Sequence, residues 1–112
     1  MLKGLFFNQD CTDFFYSRGP EQMNGEAVDA FVDRLASLGV TALLVNTNAQ
    51  RTNYASEVWE PLWTGYDPTG PDDQPVLKHQ PAEGVAAMRR PLNNMLALVA
   101  KDVDYPARMI AR

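Results

Sequence analysis

The 112-residue sequence has a single cysteine, Cys11, and a single histidine, His79. A lone cysteine excludes an internal disulfide and leaves the cellular compartment open. Nucleophilic use of Cys11 requires a histidine base beside it, and His79 lies far along the chain in a proline-rich stretch. A small buried thiol is the simpler reading. His79 has no second His or Cys near it in the sequence, so it lacks the company of a zinc ligand. Basic residues are also scarce, with 10 Lys and Arg against 14 Asp and Glu and a net charge of −4. Binding nucleic acid needs a basic patch to neutralise phosphates, so no nucleic-acid partner is expected. No apolar run approaches the roughly 20 residues of a membrane span, and no membrane partner is expected either. A Gly-rich phosphate loop is missing, which argues against nucleotide binding, and no cofactor is expected. The opening "MLKGLFF" offers no small-residue cleavage site, so no signal peptide is visible and the cytoplasm is the default location.

What is present is ordinary globular composition, 46% hydrophobic and 21% charged, in a length that suits one domain at most. Residues 3–8 read as a strand whose consecutive Leu5, Phe6 and Phe7 suit burial on both faces. Residues 13–24 read as a loop broken by Gly19-Pro20. A helix follows, with Val28, Phe31, Val32, Leu35 and Leu38 forming one apolar stripe. Asn24 is placed as its N-cap, and Gly39 as the left-handed residue that stops it. Residues 40–45 form a second apolar strand. Strand, amphipathic helix, Gly and strand make a βαβ unit, with parallel strands and a right-handed crossover. The stripe of the helix is expected to pack across both strands.

The stretch 55–81 carries Pro61, Pro68, Pro71, Pro75 and Pro81, with Trp59, Trp63 and Tyr66 between the early ones. It reads as a long excursion with one helical turn near Glu57, and loops of this length are usually functional or disordered. Residues 82–101 read as helical, with Pro91 starting a new helix or kinking this one. Asp104 before Tyr105-Pro106 marks another helix start. Met109 and Ile110 open an apolar stripe there, and the chain then stops as if cut in mid-helix. The whole is read as a single partial domain: a first βα unit and second strand over 3–54, a Pro- and aromatic-rich loop over 55–81, and a helical part over 82–112.

The two strands end alike. "FFNQD" at Phe6 to Asp10 and "LVNTN" at Leu44 to Asn48 each run two apolar residues, Asn, one residue, then Asp or Asn. Alternation puts Phe6, Asn8 and Asp10 on one face, and Leu44, Asn46 and Asn48 likewise. In a parallel sheet both polar pairs fall at the carboxyl ends, where open α/β sheets and (β/α)8 barrels bind ligands. Asn and Asp are also common turn formers after any strand, but capping alone requires no matched spacing. Arg51 and Tyr54 follow directly, as ligand contacts or as loop anchors. Trp59, Trp63 and Tyr66 are either a stacking platform for sugar rings or pins that hold the loop down. Asp10 and Asp13 flank Cys11 and read as a paired-carboxylate or metal site, or more simply as solvated acids in a turn.

"GLFFNQDCTDFF", "GEAVDAFVDRLASLGVTALLVNTNAQRTNY" and "DVDYPARMIAR" together resemble the start of a glycoside-hydrolase-like (β/α)8-barrel (TIM-barrel) protein. The resemblance covers about Lys3 to Tyr66 and Asp104 to Arg112. It implies an α/β fold made of the opening βαβα units of a barrel, with a long loop after the second strand. A whole barrel takes about 250 residues, so the resemblance implies a fragment of a carbohydrate-active hydrolase. In similar retaining enzymes the acid/base and nucleophile sit on later strands. The chain would then supply sugar contacts (Asn8, Asp10, Asn46, Asn48, Arg51 and Tyr54) to a carbohydrate ligand, without a complete catalytic pair. The alternative is a non-catalytic module that binds sugar or protein. Two strands alone leave open edges and an uncovered face, so self-association of the chain is expected.

Overall fold

A computed structural model describes residues 4–10, 12–47 and 51–112. Cys11 and Asn48 lie outside the described residues. The element order is β1 (Leu5–Gln9), α1 (Thr12–Tyr16), a 3-10 turn (Pro20–Gln22), α2 (Gly25–Ser37), β2 (Val40–Val45), α3 (Ala82–Ala100) and α4 (Tyr105–Ala111). Strands β1 and β2 pair in parallel, so the fold is mixed α/β with a βαβ unit at its start. The ladder runs from Leu5 beside Val40 to Gln9 beside Val45, with an irregularity after Leu5. There the Thr41 hydroxyl donates to the Leu5 carbonyl at 3.2 Å.

Helix α2 begins and ends where its residues require. Asn24 is extended, and its side chain accepts from the Ala27 amide at 2.8 Å. Gly39 turns the chain out at φ +90°, a conformation that costs glycine little. The stripe, however, does not lie across both strands. Val28 and Phe31 are buried, and the Phe31 ring meets Phe14 edge-on at 5.5 Å. The main partner of α2 is α4, and its contact with β2 is smaller.

That partner choice follows from a segment expected to be loop. Residues 12–16 instead form α1, and Phe14 and Phe15 are both sealed from solvent. A helix of one turn is not stable by itself; tertiary burial stabilises this one. Phe15 packs edge-on against Phe14 at 5.2 Å and against Tyr105 at 5.3 Å. Asn94 of α3 then closes its C-terminal side, donating through Nδ2 to the Phe15 carbonyl at 2.6 Å and the Arg18 carbonyl at 2.8 Å. The core is therefore helical, built on Phe14, Phe15, Met23, Val28, Leu92, Leu98 and Tyr105.

Helix α3 runs unbroken through Pro91, which is buried, so no new helix starts there. The excursion after β2 has no helix near Glu57, where Ser56 instead accepts from the amides of Val58 and Trp59. Thr52 bridges to Pro61 in parallel. Buried Gln74 bonds the Asp67 amide at 2.8 Å and the Pro71 carbonyl at 2.8 Å. Arg89 reaches back from α3 to the Gly70 carbonyl and to Asp72 at 2.7 Å. The prolines thus punctuate a segment held by side-chain bonds in place of regular structure.

Helix α4 is capped by Asp104, which accepts from the Ala107 amide at 3.1 Å. Met109 is buried, but Ile110 is 85% exposed, so the expected stripe is one residue wide. The helix is tied to α2 by two forked ion pairs, Arg108 on Asp29 and Arg112 on Asp33, closest at 2.9 Å and 2.7 Å. Hydrogen bonds from these guanidiniums hold both carboxyls below the usual aspartate range. A depressed folded-state pKa contributes stability above the unfolded value, and that contribution is lost as pH falls through the folded one. Carboxyl carbon shifts of Asp29 and Asp33 are therefore expected to titrate below ordinary aspartate. Arg108→Ala and Arg112→Ala should each return the facing carboxyl towards normal; ordinary midpoints in the unaltered chain would dismiss the ladder.

Candidate functional site

The echo between the strands is real in space, and its first members meet. Asn46 follows β2, its amide donating to the Gln9 carbonyl at 2.8 Å. Its side chain lies diagonally across from Asn8 on the same face, and Asn46 Nδ2 donates to Asn8 Oδ1 at 2.6 Å. Both residues are exposed, on a face that also carries Phe6 at 59% and Leu44 at 53% exposure. The two asparagines partner each other and stand on an open surface, not in a cleft. Arg51 turns elsewhere and pairs with Glu60 at 3.3 Å, both side chains about half exposed.

Asp10 and Tyr54 do line clefts, but different ones. The first cleft, of ≈ 180 Å³, lies beyond the end of β1 and is lined by Asp10, Tyr16, Asn53, Leu62, Met88 and Met95 among others. The second, of ≈ 190 Å³, is lined by Asn53, Tyr54, Met95, Leu98, Asp102 and Asp104 among others. Both are smaller than the roughly 300–1,000 Å³ of a drug-sized site, so each suits a single ring. They share Asn53 and Met95 as walls. Of the six residues picked from sequence, the fold thus brings Asp10 and Tyr54 towards a common centre. It sets Asn8, Asn46 and Arg51 apart, and Asn48 is outside the described residues.

That centre is Asn53, which sequence reasoning passed over. Its backbone amide donates to the Thr47 carbonyl at 3.1 Å, which anchors it to the exit of β2. It is 8% exposed, and its Oδ1 accepts from the hydroxyl of buried Tyr105. Its carboxamide nitrogen donates to no described residue, and Asn53 lines both clefts. A nearly buried donor without a protein partner can take an acceptor from outside the chain. "NYAS" gave one usable hint, an Asn directly before the Tyr54 already chosen.

The aromatic platform does not form as a unit. Tyr66 is buried, and its hydroxyl donates to Asn93 at 2.7 Å, so it pins the excursion to α3. Trp63 packs partly into the core, and Trp59 alone stands out, 53% exposed. Asp13 belongs to α1 and does not line either cleft with Asp10. Among the described residues no group of three His, Cys, Asp or Glu is arranged to hold a metal ion, and no helix is long and apolar enough to cross a membrane. No family model matches the chain, and no curated protein is significantly similar to it.

Proposed function

We propose that this chain binds carbohydrate at the carboxyl edge of its parallel strand pair, as the opening part of a carbohydrate-active hydrolase of (β/α)8 type. It would contribute sugar contacts and no complete catalytic pair. The observation that carries the reading is Asn53, tied by its backbone to Thr47 at the exit of β2 and lining two ring-sized clefts with an amide nitrogen that donates to no described residue. Asp10 offers acceptors, Asn53 a donor, and Tyr16, Met88 and Met95 an apolar surface on which a sugar's C–H face can lie. This mixture of fixed polar groups on an apolar wall is what hydroxylated rings need.

The test is calorimetric titration of the intact chain with neutral mono- and disaccharides, glucose and cellobiose as the first probes. Saturable binding is expected. Asn53→Asp keeps the acceptor for Tyr105 but removes the donor, and should weaken binding by about 5- to 100-fold, the size of one unpaired buried group of about 1–3 kcal/mol. Tyr16→Ala, at an exposed position, serves as the second variant. Absence of saturable binding across the probes, or affinity unmoved by both variants, would remove the reading.

A second reading, a non-catalytic module that docks protein through its sheet, is favoured by a different observation. Neither β1 nor β2 contains a charged residue or a proline. Such residues are the usual protection of open strand edges. With Phe6 and Leu44 exposed on the same face, concentration-dependent self-association is expected in sedimentation equilibrium. Phe6→Lys or Leu44→Lys should shift the chain towards monomer. A unaltered chain that stays monomeric at high concentration would contradict this second reading and leave the first untouched.

A further inference from the structure

The two clefts differ in the charge they present. Among the described residues no Lys, Arg or His lines either. The second cleft is lined by two exposed aspartates, Asp102 and Asp104, together with apolar Leu98 and Val99. Asp104 accepts from the Ala107 amide as the cap of α4. The Asp102 side chain takes part in no hydrogen bond or ion pair among the described residues. The nearest lysine in sequence, Lys101, is turned away and donates to the Met23 carbonyl. Tyr54 and the nearly buried Asn53, whose carboxamide nitrogen donates to no described residue, line the same cleft. A ligand that suits this lining offers a cation to the aspartates, a hydrogen-bond acceptor to Asn53, and a ring-sized body.

We propose that the cleft between Asn53 and Asp102 is a site for a small hydroxylated amine, an amino sugar in its ammonium form. The ammonium faces the Asp102 carboxylate, with Asp104 adding negative potential. A ring hydroxyl oxygen accepts from Asn53 Nδ2, and the ring lies against Tyr54 and Met95. The same field opposes uronic acids and sugar phosphates, since among the described residues no lining cation offsets the repulsion between like charges. This inference rests on the reading of the strand edge as carbohydrate-facing and narrows it to the chemistry of one cleft.

The experiment compares glucosamine, glucose, N-acetylglucosamine and glucuronate on the intact chain at about pH 6, where a free amine is charged. Glucosamine is expected to bind more tightly than glucose by up to about fivefold, the upper end of the range of a solvent-accessible ion pair. N-acetylglucosamine, whose amide carries no charge, should lose that advantage, and glucuronate should bind most weakly. Asp102→Asn should abolish the preference. Asp102 sits at φ +55°, where Asn is at least as comfortable, so this variant keeps the backbone. As a check needing no variant, added salt should erase the preference for glucosamine while leaving glucose binding unchanged. Equal affinity for glucose and glucosamine, or a preference that survives Asp102→Asn or salt, would overturn the amine site while the carbohydrate reading stands. Failure of every sugar to bind would overturn both.

Discussion

Asn94→Asp is expected to remove about 3–5 kcal/mol of the stability of this fold at neutral pH, although the two side chains are nearly the same size. Asn94 is fully buried, and both bonds of its amide go to main-chain carbonyls, those of Phe15 and Arg18. Its own Oδ1 already has no hydrogen-bond partner among the described residues. An aspartate would aim a second oxygen at two carbonyl oxygens. Ionised, it would be an uncompensated buried charge, costing about 3–5 kcal/mol, against a total of about 5–15 kcal/mol for a typical domain. Protonated, it would keep one of the two bonds and cost about 1–3 kcal/mol. Burial and the facing carbonyls both favour the neutral form, so the folded-state pKa of the new carboxyl lies above the unfolded one. The variant is accordingly least impaired below the unfolded pKa and loses stability as pH rises through the folded value. Urea denaturation at about pH 5 and about pH 8 measures the difference. Equal losses at the two pH values would contradict the donor assignment.

Phe14→Ala is expected to cost about 3–5 kcal/mol, the range for deleting a buried aromatic ring. The ring is sealed from solvent and meets Phe15 and Phe31 edge-on, and the Arg18 guanidinium carbon lies 4.8 Å from its centroid. Its loss would empty the junction of α1, α2 and the helical core. The contrast is Trp59→Ala, a larger truncation at a half-exposed position, which should stay within about 0.5 kcal/mol. Denaturant midpoints of the two variants, measured at the same slope, test the ordering. A Trp59 variant as damaged as the Phe14 variant would mean that the excursion carries the core.

These two positions mark where the sequence was hard to read. The βαβ unit was legible because its signs are local: an apolar strand, a 3.6-residue stripe, an Asn cap and a Gly stop all agree. The cap of α4 by Asp104 was legible for the same reason. Helix α1 was not, because "TDFFY" is too short to show a period and its stability comes from Phe31, Asn94 and Tyr105, far along the chain. The burial expected for Leu5, Phe6 and Leu44 was inferred from a run of apolar residues. The structure leaves all three more than half exposed.

For the candidate site, matched spacing correctly predicted that Asn8 and Asn46 share a face and an end. It did not reveal that they would bond each other, since register across two strands decides that. Asp10 and Tyr54 were found by position after a strand. Asn53 was missed because the bond that holds its side chain, to the Tyr105 hydroxyl, is a contact spanning 52 residues. No pattern within a short window encodes such a contact.

The paired forks between α2 and α4 have a consequence beyond attraction. Asp29 and Asp33 are one helical turn apart, as are Arg108 and Arg112, and both pairs span the same 79 residues of chain. Two equally spaced teeth against two equally spaced notches work as a vernier. If α4 slid by a single turn, one fork would find the wrong partner and the other would hang free in water. Exposed ion pairs add little to stability by themselves, yet here their spacing selects one alignment over its nearest neighbour. The ladder acts as a ruler for assembly, setting how far along α2 the last helix comes to rest and so where Tyr105, at its start, meets Asn53.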